Sequence, residues 1–233
     1  MRAWVHFLQS KLQSLDGETE QLVRMVSAAC AVSGGRVLDV GCGYGRLLAL
    51  LQAAGLEATG VDINPNIVAA ARKTGLRCIS LDEFNGSHDQ YDVVLMSHVI
   101  EHFGPAELLS FMDSYLDRLK PGGRLVIATP LMSDYFYDDF DHIRPYQPAG
   151  IQMVFGEGVP QVQYQSRNKL ALRELWFRRS PKRISYARAR YLPAHSRWAL
   201  FALDLVAAAA FLLSARLFGT INGWVGVFEK TRR

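Results

Sequence analysis

The sequence predicts an α/β fold: a mainly parallel sheet with helices on both faces. Three observations predict it. Strand-like and helix-like runs alternate from Gly35 to Pro130, the pattern of a sheet wound with crossover helices. A glycine-rich turn, Asp39-Val40-Gly41-Cys42-Gly43-Tyr44-Gly45, joins an apolar run, Arg36–Leu38, to a helical run, Arg46–Leu51. A second turn, Pro121-Gly122-Gly123, feeds the β-branched run Leu125–Thr129, as expected for a buried strand.

Taken in order, residues 4–32 read as one or two helices. Asp16 or Thr19 caps the second, and Leu22, Val23, Val26, Ala29 and Cys30 form its apolar stripe. The glycine turn follows. Its glycines let a ligand lie against the backbone, where any Cβ would intrude, and the next helix offers unpaired N–H groups and a positive dipole end. A dinucleotide turn reads G-x-G-x-x-G and holds a pyrophosphate. This one reads D-x-G-x-G-x-G. An acid at that point repels phosphate and suits a cationic amino group, which disfavours a dehydrogenase.

Next, Ala58–Val61 reads as a strand ending in Asp62, with Ile63, Asn64 and a proline, Pro65, that suits the first turn of a helix. An acid at a strand tip can bind both ribose hydroxyls of a nucleoside. Arg77–Phe84 is a third strand followed by acids, with Asp82 at or one residue from its tip. Tyr91–Ser97 is a fourth, leading to His98-Val99-Ile100-Glu101-His102. Gly104-Pro105 opens a helix with Leu108, Leu109, Met112, Leu116 and Leu119 on its apolar side, and the fifth strand reads Leu119-Lys120-Pro121-Gly122-Gly123-Arg124-Leu125-Val126-Ile127-Ala128-Thr129-Pro130.

These five segments, in this order, resemble the class I S-adenosylmethionine (SAM)-dependent methyltransferases over about residues 35 to 160. The resemblance implies a Rossmann-like methyltransferase fold. Its sheet has seven strands, mainly parallel, with an antiparallel last strand. It also implies SAM as cofactor, with Asp39 orienting its amino group, Gly41, Cys42, Gly43 and Gly45 lining it by backbone, and Asp62 on the ribose. Ile63 and Asp82 fall beside the adenine, and Ser97 and His98 where the pocket opens toward the acceptor. Glu101 and His102 resemble the "EH" after strand four in many small-molecule methyltransferases.

The methyl of SAM is activated by its sulfonium, so the reaction is an in-line displacement in which the protein mainly aligns the partners. A hydroxyl acceptor benefits from a general base. His142 is the leading candidate, with His98 the other, because an unperturbed imidazole titrates at about 6.5. His142 lies in the aromatic, acidic stretch Asp134–Tyr146, where Asp138, Asp139 and Asp141 could orient it and Tyr135, Phe136, Tyr137 and Tyr146 could wall the substrate. Acids interleaved with bulky aromatics lack a recognisable metal-ligand spacing, so no metal is expected.

Pro148–Gly156 reads as a short helix, Val159–Tyr164 as strand six, and Gly223–Lys230 as strand seven. The organisation is therefore N-terminal helices at 1–34, a SAM-binding core at 35–165, a basic and apolar helical insertion between strands six and seven at 166–220, and the final strand and tail at 221–233. Roughly sixty residues where a hairpin is expected point to function or independent structure.

Charge marks that insertion. The chain carries +4 overall, yet Arg167–Arg197 holds ten basic residues against Glu174 alone, a net of +9, which leaves −5 elsewhere. Such a segment suits an anionic surface: phospholipid, phosphorylated substrate or nucleic acid. Nucleic acid is disfavoured, because the N-P-P-Y-type amino-methylation motif is replaced by Met96-Ser97-His98-Val99. Trp198–Phe218 is apolar except for Asp204, Ser214 and Arg216. It is marginally long enough to span a bilayer, at about 20 residues, but a single span would strand the seventh strand across the membrane. A helix at the membrane surface, or one docked on the core or in a homodimer, avoids this.

At 233 residues and 49% hydrophobic the chain can bury a full core. Its three cysteines, Cys30, Cys42 and Cys78, are odd in number and without metal spacing, which fits a reducing compartment. No secretory signal is evident in Met1–Leu15. The expectation is a cytoplasmic enzyme, peripheral on the inner face of the membrane. It methylates a hydroxyl or amine of a small-molecule, glycan or lipid-linked acceptor. The alternatives are a soluble enzyme with a lid or dimer arm, and a non-catalytic SAM-binding protein.

Overall fold

The computed structural model describes residues 14–158, 163–184 and 193–231. Its strands are β1 (Arg36–Val40), β2 (Glu57–Asp62), β3 (Cys78–Ser80), β4 (Tyr91–Ser97), β5 (Leu119–Pro130), β6 (Leu170–Pro181) and β7 (Gly219–Lys230). Its α-helices are α1 (Glu18–Ser33), α2 (Arg46–Ala53), α3 (Pro65–Lys73), α4 (Leu81–Gly86), α5 (Pro105–Leu116), α6 (Pro148–Phe155) and α7 (Ala194–Leu213). The strands form one seven-stranded sheet in the order β3-β2-β1-β4-β5-β7-β6. The first five are parallel neighbours, and β7 runs antiparallel to both β5 and β6.

Strand alternation sends successive side chains to opposite faces, and each face has its own core. Leu38, Val94, Met96 and Ile127 pack with Met112 and Leu116 of α5 and with Trp224 and Phe228 of β7. Val37, Val93, Leu95 and Val126 pack with Leu22, Met25 and Val26 of α1 and Leu48 and Leu51 of α2. Residues 1–13 of the expected N-terminal helices lie outside the described residues. The cap of α1 is Gly17, in a left-handed turn (φ 72°), rather than Asp16 or Thr19; Asp16, one residue before it, accepts the Glu18 N–H through Oδ1 at 3.1 Å. Helices α5 and α6 fall where the periodicity places them.

Strand six does not. Residues 159–162 of its expected position lie outside the described residues, and Gln163 and Tyr164 are not in a strand. The strand is Leu170–Pro181, inside the stretch read as a basic arm. Two register shifts, at Leu172/Glu174 and Arg178/Arg179, break its period-two pattern and hide it from a sequence reading. Much of the arm's charge is paired within the fold. Arg167 Nη2 meets Asp117 at 2.5 Å, Arg173 meets Glu229 at 2.7 Å, and Arg178 meets Glu18 at 2.7 Å. The insertion is thus the segment between Pro181 and Gly219, of which residues 185–192 are not described.

Helix α7 is its main element. Asp204 faces inward, its Oδ1 accepting the Ile184 N–H at 2.6 Å. Ala208 and Phe211 are buried on that same side, and Gly219 lacks the Cβ that would strike the Phe211 ring. Leu203, Val206 and Leu213 face outward, the last 90% exposed. Among the described residues no helix is long and apolar enough to cross a membrane.

Candidate active site

The site is built at the C-terminal ends of β1, β2 and β4, the crevice where ligands bind in wound α/β sheets. The turn after β1 has Gly41, Gly43 and Gly45 at positive φ. At Gly45 (φ 80°) a Cβ would also collide with Leu76. At Gly43 (φ 54°) it would meet nothing within 4 Å, so this part of the turn presents bare backbone to open space. Asp62 holds the turn in place. Its Oδ2 accepts the Gly43 N–H at 3.0 Å and its Oδ1 accepts the Asn64 N–H at 2.9 Å. A carboxylate has about four lone-pair directions, so capacity remains for two ribose hydroxyls.

Asp39 is 2% exposed, and its Oδ2 is buried without a hydrogen-bond partner. Burial, then the charge of Asp62, push its pKa up to about 7. An acid in that state lacks a cation. The residues present therefore fit SAM: an orphaned carboxylate oxygen for the amino group, bare glycine backbone, and an acid at the β2 tip. Beside that tip Ile63 is 81% exposed. Asp82 is exposed in the first turn of α4, which a Ser80–Glu83 capping box opens, and Ser97 ends β4 part-buried. Cys42 belongs to the turn by its backbone, and its side chain packs against the sheet. Its sulfur lies 3.4 Å from that of Cys78 and against Gly60. Burial, then the Cys78 contact, push its thiol pKa far up, leaving an inert thiol.

Beyond β4 the backbone turns sharply. His98 adopts a left-handed φ of 56°, pinned by its N–H to the Ala128 carbonyl at 2.8 Å. Its Nε2 lies 2.6 Å from Glu18 Oε1 and its Nδ1 3.3 Å from Glu101 Oε1. Burial favours the neutral ring, but the carboxylates of Glu101 and Glu18 outweigh it and raise the pKa to about 10. These contacts favour the imidazolium form of His98, which weighs against it as a base and favours His142 for that role. Burial also works against the charge of Glu18, yet His98 and Arg178 hold its pKa below the usual carboxylate range. Glu18 and Arg178 escaped the sequence reading because they lie 80 and 160 residues from the groups they meet.

Glu101 is fully buried, and its Oε2 accepts from Thr129 Oγ1 at 3.0 Å. Its backbone carbonyl accepts the N–H groups of Ile143 and Arg144 at 2.9 and 3.1 Å. That anchors the aromatic loop over the end of β4. The loop's aromatics divide: Phe136 and Tyr146 are buried, whereas Tyr137 and Phe140 are exposed. The Tyr146 hydroxyl donates to the Phe103 carbonyl at 2.8 Å, so Phe136 and Tyr146 are packing residues rather than a substrate wall. His142 Nδ1 is 2.7 Å from the Phe136 carbonyl and His102 Nδ1 is 3.1 Å from the Asp141 carbonyl. A carbonyl only accepts, so each Nδ1 carries a proton and Nε2 is the ring nitrogen left to other partners; that of His142 lies 3.7 Å from Asp139 Oδ2. The two rings lie 5.0 Å apart. One ligand atom each from Glu101, His102 and His142 fall within 4.8 Å of one another, a grouping from segments 40 residues apart that no local spacing reveals.

The strand order, the antiparallel β7 and the glycine cradle define the Rossmann-like methyltransferase fold. The chain belongs to the methyltransferase domain family, whose model matches residues 6–194. It is 33% identical over 127 residues to a ubiquinone biosynthesis O-methyltransferase of Cereibacter sphaeroides, covering 49% of this chain and 51% of that protein. It is 30% identical over 122 residues to another from a Bradyrhizobium species, covering 49% and 47%. The chain thus spans about half the length of the curated relatives it matches. Among solved structures, a SAM-dependent methyltransferase from Archaeoglobus fulgidus superposes with a TM-score of 0.56 at 18% identity, covering 91% of this chain and 94% of that one. Magnesium protoporphyrin IX methyltransferase from Synechocystis gives 0.59 at 12% identity, covering 93% and 83%.

Proposed function

We propose that this methyltransferase moves the methyl group of SAM to a hydroxyl of a small acceptor carried in or at a membrane. The observation that carries the reading is the orientation of His142, whose Nδ1 is held by the Phe136 carbonyl on a loop that the Glu101 carbonyl anchors beyond β4, with Nε2 facing Asp139. SAM, when bound, would supply a methyl carried on a sulfonium, whose sulfur departs as a neutral thioether. Asp39 would hold its amino group and Asp62 its ribose, with the glycine turn along it. His142 takes the proton from the acceptor hydroxyl as the oxygen forms its bond to the methyl carbon. The carbon–sulfur bond breaks, and S-adenosylhomocysteine leaves. The names of the relatives, O-methyltransferases of ubiquinone biosynthesis, favour a phenolic, lipid-tailed acceptor over an amine.

The test is methyl transfer to hydroxylated aromatic acceptors with isoprenoid tails. His142→Gln is expected to lower kcat by about 10²–10⁴-fold, with S-adenosylhomocysteine binding unchanged. Full activity in that variant overturns the base assignment.

The membrane part of the reading rests on α7. Its outward face joins Val206, 65% exposed, to Leu213, and exposed Lys182 follows β6, against which α7 packs. An apolar helix face beside basic residues suits the interface of an anionic bilayer. Burying one such side chain contributes about 1.5–3 kcal/mol. Val206→Asp and Leu213→Asp should therefore each weaken co-sedimentation with phosphatidylglycerol vesicles by about tenfold or more. Dimerisation without vesicle binding would instead assign this face to a second copy of the chain.

A further inference from the structure

We infer that Glu101, His102 and His142 form a binding site for one divalent transition-metal ion. The geometry of protons carries the argument. His102 and His142 each spend Nδ1–H on a backbone carbonyl, those of Asp141 and Phe136. That is the arrangement that orients metal-binding histidines and fixes their tautomer. It leaves Nε2 as the nitrogen each ring can offer a metal, on rings whose centroids lie 5.0 Å apart. The third member, Glu101, is fully buried, and its Oε1 makes no hydrogen bond. Oε1 lies 3.3 Å from His98 Nδ1, an ion-pair distance without hydrogen-bond alignment. Asp139 Oδ2, 3.7 Å from His142 Nε2, adds negative charge nearby. One ligand atom from each of the three side chains lies within 4.8 Å of the others, and a cation bound among them would compete with the His98 ring for Glu101 Oε1.

Two imidazoles and a carboxylate suit zinc, iron, cobalt or nickel rather than magnesium or calcium. Three protein ligands leave a position open for water or for an acceptor oxygen. Ligand atoms around tetrahedral zinc stand about 3.4 Å apart, given Zn–N of about 2.0–2.1 Å. The ligand atoms of this site lie within 4.8 Å of one another, so binding would draw them closer together. In the metal-loaded protein the His142 lone pair is a ligand, and the ion's charge takes over the task of acidifying an acceptor hydroxyl. The site itself stands on these side chains and does not depend on the identity of the acceptor.

The experiment is titration of the untagged full chain with Co²⁺, followed by visible absorption, and with Zn²⁺ by calorimetry. S-adenosylhomocysteine binding is measured on the same samples. The expected result is one ion per chain with cobalt ligand-field bands. His102→Gln and His142→Gln should each weaken binding by about 100-fold or more, since even outer partners of metal ligands contribute about 10–100-fold. The exposed His88→Gln should bind as wild type does. Unchanged S-adenosylhomocysteine affinity in the variants would show that they are folded. No stoichiometric cobalt signal from folded wild type overturns the inference, and so does wild-type metal affinity in either His102→Gln or His142→Gln. Failure of wild type to bind S-adenosylhomocysteine would count against the proposed methyl donor and not against the metal.

Discussion

Asp62→Ala is expected to weaken S-adenosylhomocysteine binding by about 10²–10⁴-fold. Two hydrogen bonds from ribose hydroxyls to a carboxylate contribute about 1.5–3 kcal/mol each, and every 1.4 kcal/mol is about tenfold. The substitution also frees the Gly43 N–H, which Asp62 Oδ2 accepts at 3.0 Å, so the turn loses its brace along with the ligand. Calorimetric titration of both proteins checks this. A loss below about fivefold would remove Asp62 from the nucleoside site. The same titration across pH reports on Asp39, whose carboxyl titrates near 7 in the free protein. A bound ammonium favours the ionised acid, so affinity should rise as pH rises through that value. Asp39→Asn should bind weakly and without that rise.

Trp224→Ala is expected to cost about 3–5 kcal/mol of stability, the range for removing a fully buried tryptophan. Trp224 sits on β7 with no exposed surface, its ring 6.3 Å from that of Phe228. Its Nε1–H donates to the Tyr146 carbonyl at 2.8 Å, and truncation leaves that buried acceptor unpaired. For a chain of this size each kcal/mol moves Tm by about 2–4 °C. Scanning calorimetry should therefore find a drop of about 6–20 °C. A shift under about 3 °C would mean that the core reorganises to fill the void.

The parts of the molecule readable from sequence are those whose chemistry is local. Asp39, the three glycines, Asp62 and the Pro121–Gly123 turn each act through neighbours a few residues away. The parallel order of the first five strands follows from the alternation. What sequence could not carry depends on chain segments far apart. The charge on His98 is set by Glu18 from α1, itself held by Arg178 from β6, so the ring looked like an ordinary base. Glu101, His102 and His142 meet only because the Glu101 carbonyl catches the loop at Ile143 and Arg144. Strand six was hidden because register shifts spoil its alternation and because its arginines resemble a solvated face until Glu229 and Glu18 are seen opposite Arg173 and Arg178. Helix α7 lies between these cases: its apolar run was legible, whereas the side that Asp204 and Phe211 turn inward and the partner of its outer face were not.

The position of β7 bears on how this protein is made. It lies between β5 and β6 and pairs with both, yet it is the last of the seven strands to leave the ribosome. Until it does, β5 presents an open edge and β6 has no neighbour to hydrogen-bond. Meanwhile α7 has already emerged with much of its apolar surface uncovered. At about 5–20 residues per second, that interval lasts on the order of seconds, long enough for unpaired edges to find other chains. Premature termination before Gly219 would therefore yield a product whose sheet never closes, rather than a slightly weakened enzyme.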